Sequence, residues 1–258
     1  MEGLAAGEPV TFPRGTPVAR TGLRCILDPV DGTRGLMYDK RSAWSLAALA
    51  IQRGPRTGLD DIVVAAMTEI PTSRQWRSDQ LSALKGCGVH AQSADVRTGR
   101  RTKLAVNPSR ARNCLGGFAA ISRFFPAGKG LLAKLEEQLW TELYGAEANG
   151  SRPVFDDQYI CTGGQLYELA IGHDRFVADL RPLVFRKLRL KSALTCHPYD
   201  VCTALILREA GGVVEAPSGG KLDAPLDTTS AVAWAGYANP HLARHVRPVL
   251  QRLIKRML

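Results

Sequence analysis

Residues 24–44 read RCILDPVDGTRGLMYDKRSAW, and the short stretch Asp28-Pro29-Val30-Asp31-Gly32-Thr33 within them decides how the whole chain is read. Asp, Pro and Gly are the residues a turn requires for backbone reasons alone, so taken by itself the stretch fits a turn as well as a binding site. The apolar run before it, LRCIL at 23–27, reads as a short buried strand that feeds directly into the turn. Two carboxylates at i and i+3 across a rigid proline, with a backbone carbonyl between them, can then meet at one point. Such a donor set suits a hard cation such as Mg²⁺, which takes oxygen ligands in octahedral geometry at about 2.0–2.1 Å. Charge argues the same way. Two carboxylates about 4 Å apart repel by roughly 4 kcal/mol at an effective dielectric near 20, so the pair must hold a cation, take up a proton or stay solvated.

Outward from this stretch, short apolar runs bounded by Gly or Pro alternate with helical spacing. WSLAALAIQ (44–52) and DIVVAAMTEI (61–70) read as strands, although the alanine-rich first of these also admits a helix; KLAVN (103–107) reads as a further strand. After Pro126, Leu131, Leu135, Leu139 and Leu143 fall at helical spacing, with Gly145 as a stop. A helix over about 164–171 is followed by the strand RFVADL. In HPYDVCTALILREAGGVVEA, Asp200 is placed to cap a helix that Gly211-Gly212 ends, and VVEA and AVAWAGYA are strands. The chain closes on a basic amphipathic helix interrupted near Pro248. Sheets alternating with helices imply an α/β or α+β layered sandwich, organised as a single domain over 1–258 with one half to about residue 110 and the other from about 111.

Composition narrows the function. With 45% hydrophobic residues in 258, the chain can bury a sizeable core, and no apolar run approaches the roughly 20 residues that cross a bilayer. An acid at position 2 and the lack of an apolar h-region argue against a signal peptide, so a cytoplasmic protein without membrane partners is expected. Six scattered cysteines without a C-x-x-C pair read as reduced thiols. The formal charge of +10 is spread over separate basic clusters without interleaved aromatics, so nucleic acid is not an expected partner. A GCG turn at 86–88 lacks the helix a dinucleotide loop needs.

ILDPVDGT resembles the metal-binding signature of the inositol monophosphatase superfamily of Mg²⁺-dependent, Li⁺-sensitive phosphatases. YDVCTALILREAGGVV from Tyr199 is similar to the family's second motif, and Gly7-Glu8, twenty residues before Asp28, to its N-terminal metal glutamate. The resemblance implies the layered α-β-α-β-α sandwich of the inositol monophosphatase and fructose-1,6-bisphosphatase type. It implies that Glu8, Asp28 and the carbonyl of Val30 hold one Mg²⁺ and that Asp28, Asp31 and Asp200 hold a second, for two or three ions in all. Gly32, Thr33 and Arg34 would receive the substrate phosphate, with the Thr33 hydroxyl and Glu8 serving the attacking water, and Asp179 would reach substrate hydroxyls. The implied reaction is hydrolysis of a small phosphomonoester such as a polyol, sugar or inositol phosphate. A 3'-phosphonucleotide substrate and a catalytically weak, phosphate- or partner-binding member are the alternatives.

Several departures shape the expectations. The family carries two long helices before its glutamate motif, and here seven residues precede Glu8; the reading is an incomplete N-terminal helical layer, through a truncated or mis-started frame or a layer supplied by a partner subunit, with a homodimer expected. Pro9 replaces the usual second acid, and Arg34-Gly35-Leu36 replaces Thr/Ser-Asn-Phe. Tyr38 to Arg41 either contact the phosphate or a neighbouring sugar or form a solvated loop. The basic stretch between Asp179 and Asp200 is placed near the mouth of the site.

Overall fold

In the computed structural model, which describes residues 10–190 and 194–258, the aspartate stretch forms the first edge of an antiparallel meander. β1 (Leu23–Asp31) leads through the short helix α1 (Thr33–Met37) into β2 (Ala43–Ile51), and β3 (Ile62–Ile70), β4 (Arg77–Leu84), β5 (Val89–Asp95) and β6 (Arg101–Lys103) follow in spatial order. Burial on β2 has period two: Trp44, Leu46, Ala48 and Ala50 are buried, while Ser45, Ala47 and Leu49 are only half-buried. That alternation settles the alanine-rich segment as a strand. Leu23, Leu27, Ile51 and Leu84 occupy the other face of the sheet and remain 41–51% exposed.

A second sheet is built from β7 (Phe118–Ile121), β8 (Asp174–Asp179), β9 (Val213–Glu215) and β10 (Trp234–Tyr237), in the order β7-β8-β10-β9 with only the β7 and β8 pair parallel. Helices α2 (Lys129–Tyr144) and α7 (Pro240–Met257) pack together against this sheet. Helices α3 (Thr162–Ile171) and α6 (Ala204–Glu209) touch strands of both sheets, α3 through β2 and β8, α6 through β3 and β9. The described layers are thus sheet, helices, sheet, helices. One continuous apolar core, from Trp44 and Leu46 to Phe176 and Trp234, runs through them.

Three local expectations are corrected, and one unassigned stretch is filled in. The strand at 103–107 ends at Lys103: the Leu104 amide still donates to the Ala91 carbonyl of β5 at 3.1 Å, and residues 105–107 run on outside the sheet. β4 and β5, which the sequence reading left unassigned, form a hairpin over Gly86 and Gly88, both at positive φ. Asp200 is not the first cap of one long helix. It sits inside the short α5 (Pro198–Val201), where its Oδ2 accepts the His197 amide at 2.6 Å, and a break at Cys202 and Thr203 separates α5 from α6. Finally, α7 runs unbroken through Pro248. The proline is exposed, so the Arg244 carbonyl that loses its N–H partner faces water, while Leu242, Val246, Leu250 and Leu253 hold the buried face.

Candidate active site

In a regular strand, side chains at i and i+3 point to opposite faces. Asp28 and Asp31 escape this rule through a bulge. Asp28 pairs with Leu46 and Asp31 with Trp44, so three steps on β1 match two on β2 and one extra residue is absorbed between them. Both aspartates therefore share the buried face that carries Leu46 and Trp44. Pro29 fits the bulge because it has no amide to leave unpaired, and the Val30 amide donates to Asp28 Oδ1 at 3.0 Å. Asp31, 8% exposed, accepts the Gly163 amide from the first turn of α3 at 2.6 Å. α5 packs on β1 and β2 and brings in Asp200. One carboxylate oxygen from each of Asp28, Asp31 and Asp200 lies within 4.8 Å of the other two.

The three acids line a cavity of ≈ 300 Å³ together with Val30, Gly32, Thr33 and Arg34. Gly32 adopts φ +95°, a left-handed conformation that starts α1, and its α-carbon faces Cys161 so closely that a Cβ would sit 3.2 Å from the cysteine Cβ. The Thr33 hydroxyl donates to the Val30 carbonyl at 2.8 Å, which leaves its oxygen lone pairs for a further donor. Burial, reinforced by the charges of Asp31 and Asp200, pushes the Cys161 thiol well above its ordinary range. It is therefore a neutral, unreactive wall of the cavity. His197 is raised by the Asp200 carboxylate, which lies 3.7 Å from its Nδ1.

Most residues anticipated from sequence converge here: Asp28, Val30, Asp31, Gly32, Thr33, Arg34 and Asp200 all line the one cavity. Glu8 lies outside the described residues. Asp179 corrects the expectation that it contacts substrate. Its side chain is wholly buried at the end of β8 and is consumed by Arg181, which donates to it from its backbone amide at 3.1 Å, from Nε at 2.8 Å and from Nη2 at 2.5 Å. Arg181 instead reaches the cavity wall. Burial opposes its charge, but the Asp179 carboxylate overrides that and keeps the guanidinium firmly protonated. It lies 4.5 Å from the ring centroid of Phe124 and 5.3 Å from that of Phe125.

Arg181, Phe124 and Phe125 are among the cavity residues to which the sequence reading gave no role. A visible signal for the first was an arginine two places beyond a strand-ending aspartate. Leu194 and Thr195, from the basic stretch before Asp200, also line the cavity. Tyr38 to Arg41 do not. Tyr38 is 75% exposed, and Arg41 is held by Asp157 on a different cleft.

The tight approach of α3 to β1 makes a testable point. A Cβ on Gly163 would lie 2.7 Å from Leu46 and 3.1 Å from Asp31 Oδ2. Gly163→Ala is expected to destabilise the protein by about 1–3 kcal/mol through overpacking and to weaken Mg²⁺ binding as Asp31 is displaced, both readable by denaturant unfolding and calorimetry.

No family model matches the chain, and no curated protein matches its sequence. Solved structures do. The extragenic suppressor protein SuhB of Bartonella henselae superposes with a TM-score of 0.58 at 17% identity, over 93% of this chain and 73% of that one. Fructose-1,6-bisphosphatase of Leishmania major in its T-state gives 0.61 at 13% identity, over 94% and 73%. An inositol monophosphatase from Anabaena (Nostoc) gives 0.55 at 13% identity, over 95% and 75%. The fold is accordingly that of the inositol monophosphatases and fructose-1,6-bisphosphatase.

Proposed function

We propose that the protein is a Mg²⁺-dependent phosphomonoesterase acting on a small phosphorylated metabolite. The observation that carries this reading is the convergence of Asp28, Asp31 and Asp200 within 4.8 Å in the wall of an open cavity that also holds the Gly32–Arg34 turn. Three carboxylates so close form an all-oxygen donor set of high negative charge, which fits a hard divalent cation and leaves room for the waters and phosphate oxygens Mg²⁺ prefers to keep. Two or three ions, with Glu8 as a further ligand, complete the proposal; bound there, they would neutralise phosphoryl oxygens and make water more acidic.

The protein's own groups then supply position and charge. Gly32 and Thr33 present backbone amides at the turn, and Arg34 and Arg181 bring positive charge to the cavity wall. The Thr33 oxygen, with its proton directed to Val30, is free to accept a hydrogen bond from water and orient it. Water attacks phosphorus in line, the ester P–O bond breaks, and the alcohol and inorganic phosphate leave.

A 3'-phosphonucleotide is the second substrate class worth testing, because the cavity is walled by Phe124, Phe125 and Tyr199 beside Arg181, surfaces that suit a base and a second anion. The test is phosphate release from polyol, sugar, inositol and 3'-nucleotide phosphates with and without Mg²⁺. Mg²⁺-dependent release from at least one is expected, and the ranking of kcat/KM assigns the class. A folded protein that releases phosphate from none of them overturns the reading.

A further inference from the structure

The segment 156–161 borders two hollows that share no lining residue. Ile160 and Cys161 face the carboxylate cavity, whereas Asp157 and Tyr159 line a separate cleft of ≈ 620 Å³, a size typical of small-molecule sites. Most charged side chains in this cleft are engaged. Arg41 donates to both oxygens of Asp157 at 3.1 and 3.2 Å, His173 bonds Glu168 at 2.5 Å, and Glu69 accepts from Gln75 at 3.1 Å.

Asp174 is different. It opens β8, is 9% exposed, and has no hydrogen bond or ion pair among the described residues. It lines the cleft together with Glu168, Asp157 and Arg41. Burial first, and the Glu168 charge second, push it up to about 7. The carboxylate is enclosed yet still open to the cleft, so a donor arriving there can reach it.

We infer that this cleft binds a small organic cation, an ammonium or guanidinium whose N–H groups are received by Asp174 and Glu168. Charge favours a cation over an anion: among the described residues Asp174 is the acid of this cleft with no hydrogen bond or ion pair, whereas the basic side chains of the lining, Arg41 and Arg74, are held by Asp157 and Asp39, and Lys40 is exposed. Geometry selects an organic cation over a metal. Among the described residues, Asp28, Asp31 and Asp200 make the one group of three metal-ligating side chains that converge within 4.8 Å, and Asp174 and Glu168 lie in no such group.

Calorimetric titration of the whole protein with agmatine, with putrescine and with MgCl₂ tests this. Saturable binding of agmatine or putrescine is expected, weakened at least about tenfold in Asp174→Asn, the loss of one charge-assisted hydrogen bond. It should persist in Asp31→Asn, and Mg²⁺ binding should persist in Asp174→Asn, which separates the two hollows. Unliganded Asp174→Asn should also melt roughly 2–4 °C above the wild type, because the amide needs no counter-charge. The inference is overturned if neither cation binds the wild type, if Asp174→Asn binds it equally well, or if Asp31→Asn abolishes that binding.

Discussion

Asp31→Asn is expected to lower kcat/KM for phosphate release by about 10³-fold, equivalent to about 4 kcal/mol of lost transition-state stabilisation. The substitution keeps the shape of the side chain and one acceptor oxygen for the Gly163 amide, which now lies 2.6 Å from Asp31 Oδ2. What it removes is charge, at the most buried of the three converging acids. Without Mg²⁺ the same change relieves carboxylate repulsion, so the metal-free variant should be as stable as the wild type or more so. Activity and stability then move in opposite directions. A variant that lost both together would point to a structural role for Asp31.

The largest effect on stability is expected at Asp179→Ala, a loss of about 3–5 kcal/mol that would lower the melting temperature by roughly 6–20 °C. Asp179 is wholly buried beneath its three hydrogen bonds with Arg181, out of reach of a substrate. Removing it strands a guanidinium that is itself only 5% exposed and is otherwise held by the Leu194 carbonyl at 2.9 Å. Replacing both partners by apolar residues should restore much of the stability, because neither charge is then left alone. Thermal denaturation of the single and double variants measures this. A side chain that merely touched substrate hydroxyls would change KM and leave the melting temperature alone.

These two aspartates also mark how far the sequence could be read. Asp28 and Asp31 were legible because their spacing, the intervening proline and the strand before them are local, and the bulge that aligns them needs only those residues. Asp200 was legible as a partner through the motif around it, although its place inside a short helix depends on the break at Cys202 and Thr203. Asp179 looked like an equivalent strand-end acid. Its different fate rests on Arg181 folding back over it, a pairing that the chain direction after β8 decides.

The same limit explains the unread hairpin. β4 carries Asp79 at a fully buried position, which breaks the apolar alternation a strand is recognised by. Only Arg77, Ser93 from β5 and Tyr167 from the distant α3 make that burial tolerable. Pro248 misled for the converse reason, since an exposed proline costs a helix little when the packing of its other face holds it together. Asp174 had no signal at all in the sequence, because being unpartnered is a property of the assembled cleft.

Titration of Mg²⁺ into metal-free protein tests the central claim most directly, that Asp28, Asp31 and Asp200 form one cation site. Saturable binding is expected in the wild type, with affinity lower by about 100-fold or more in Asp31→Asn at undiminished melting temperature. Equal binding by wild type and variant, or no binding by the folded wild type, would contradict it.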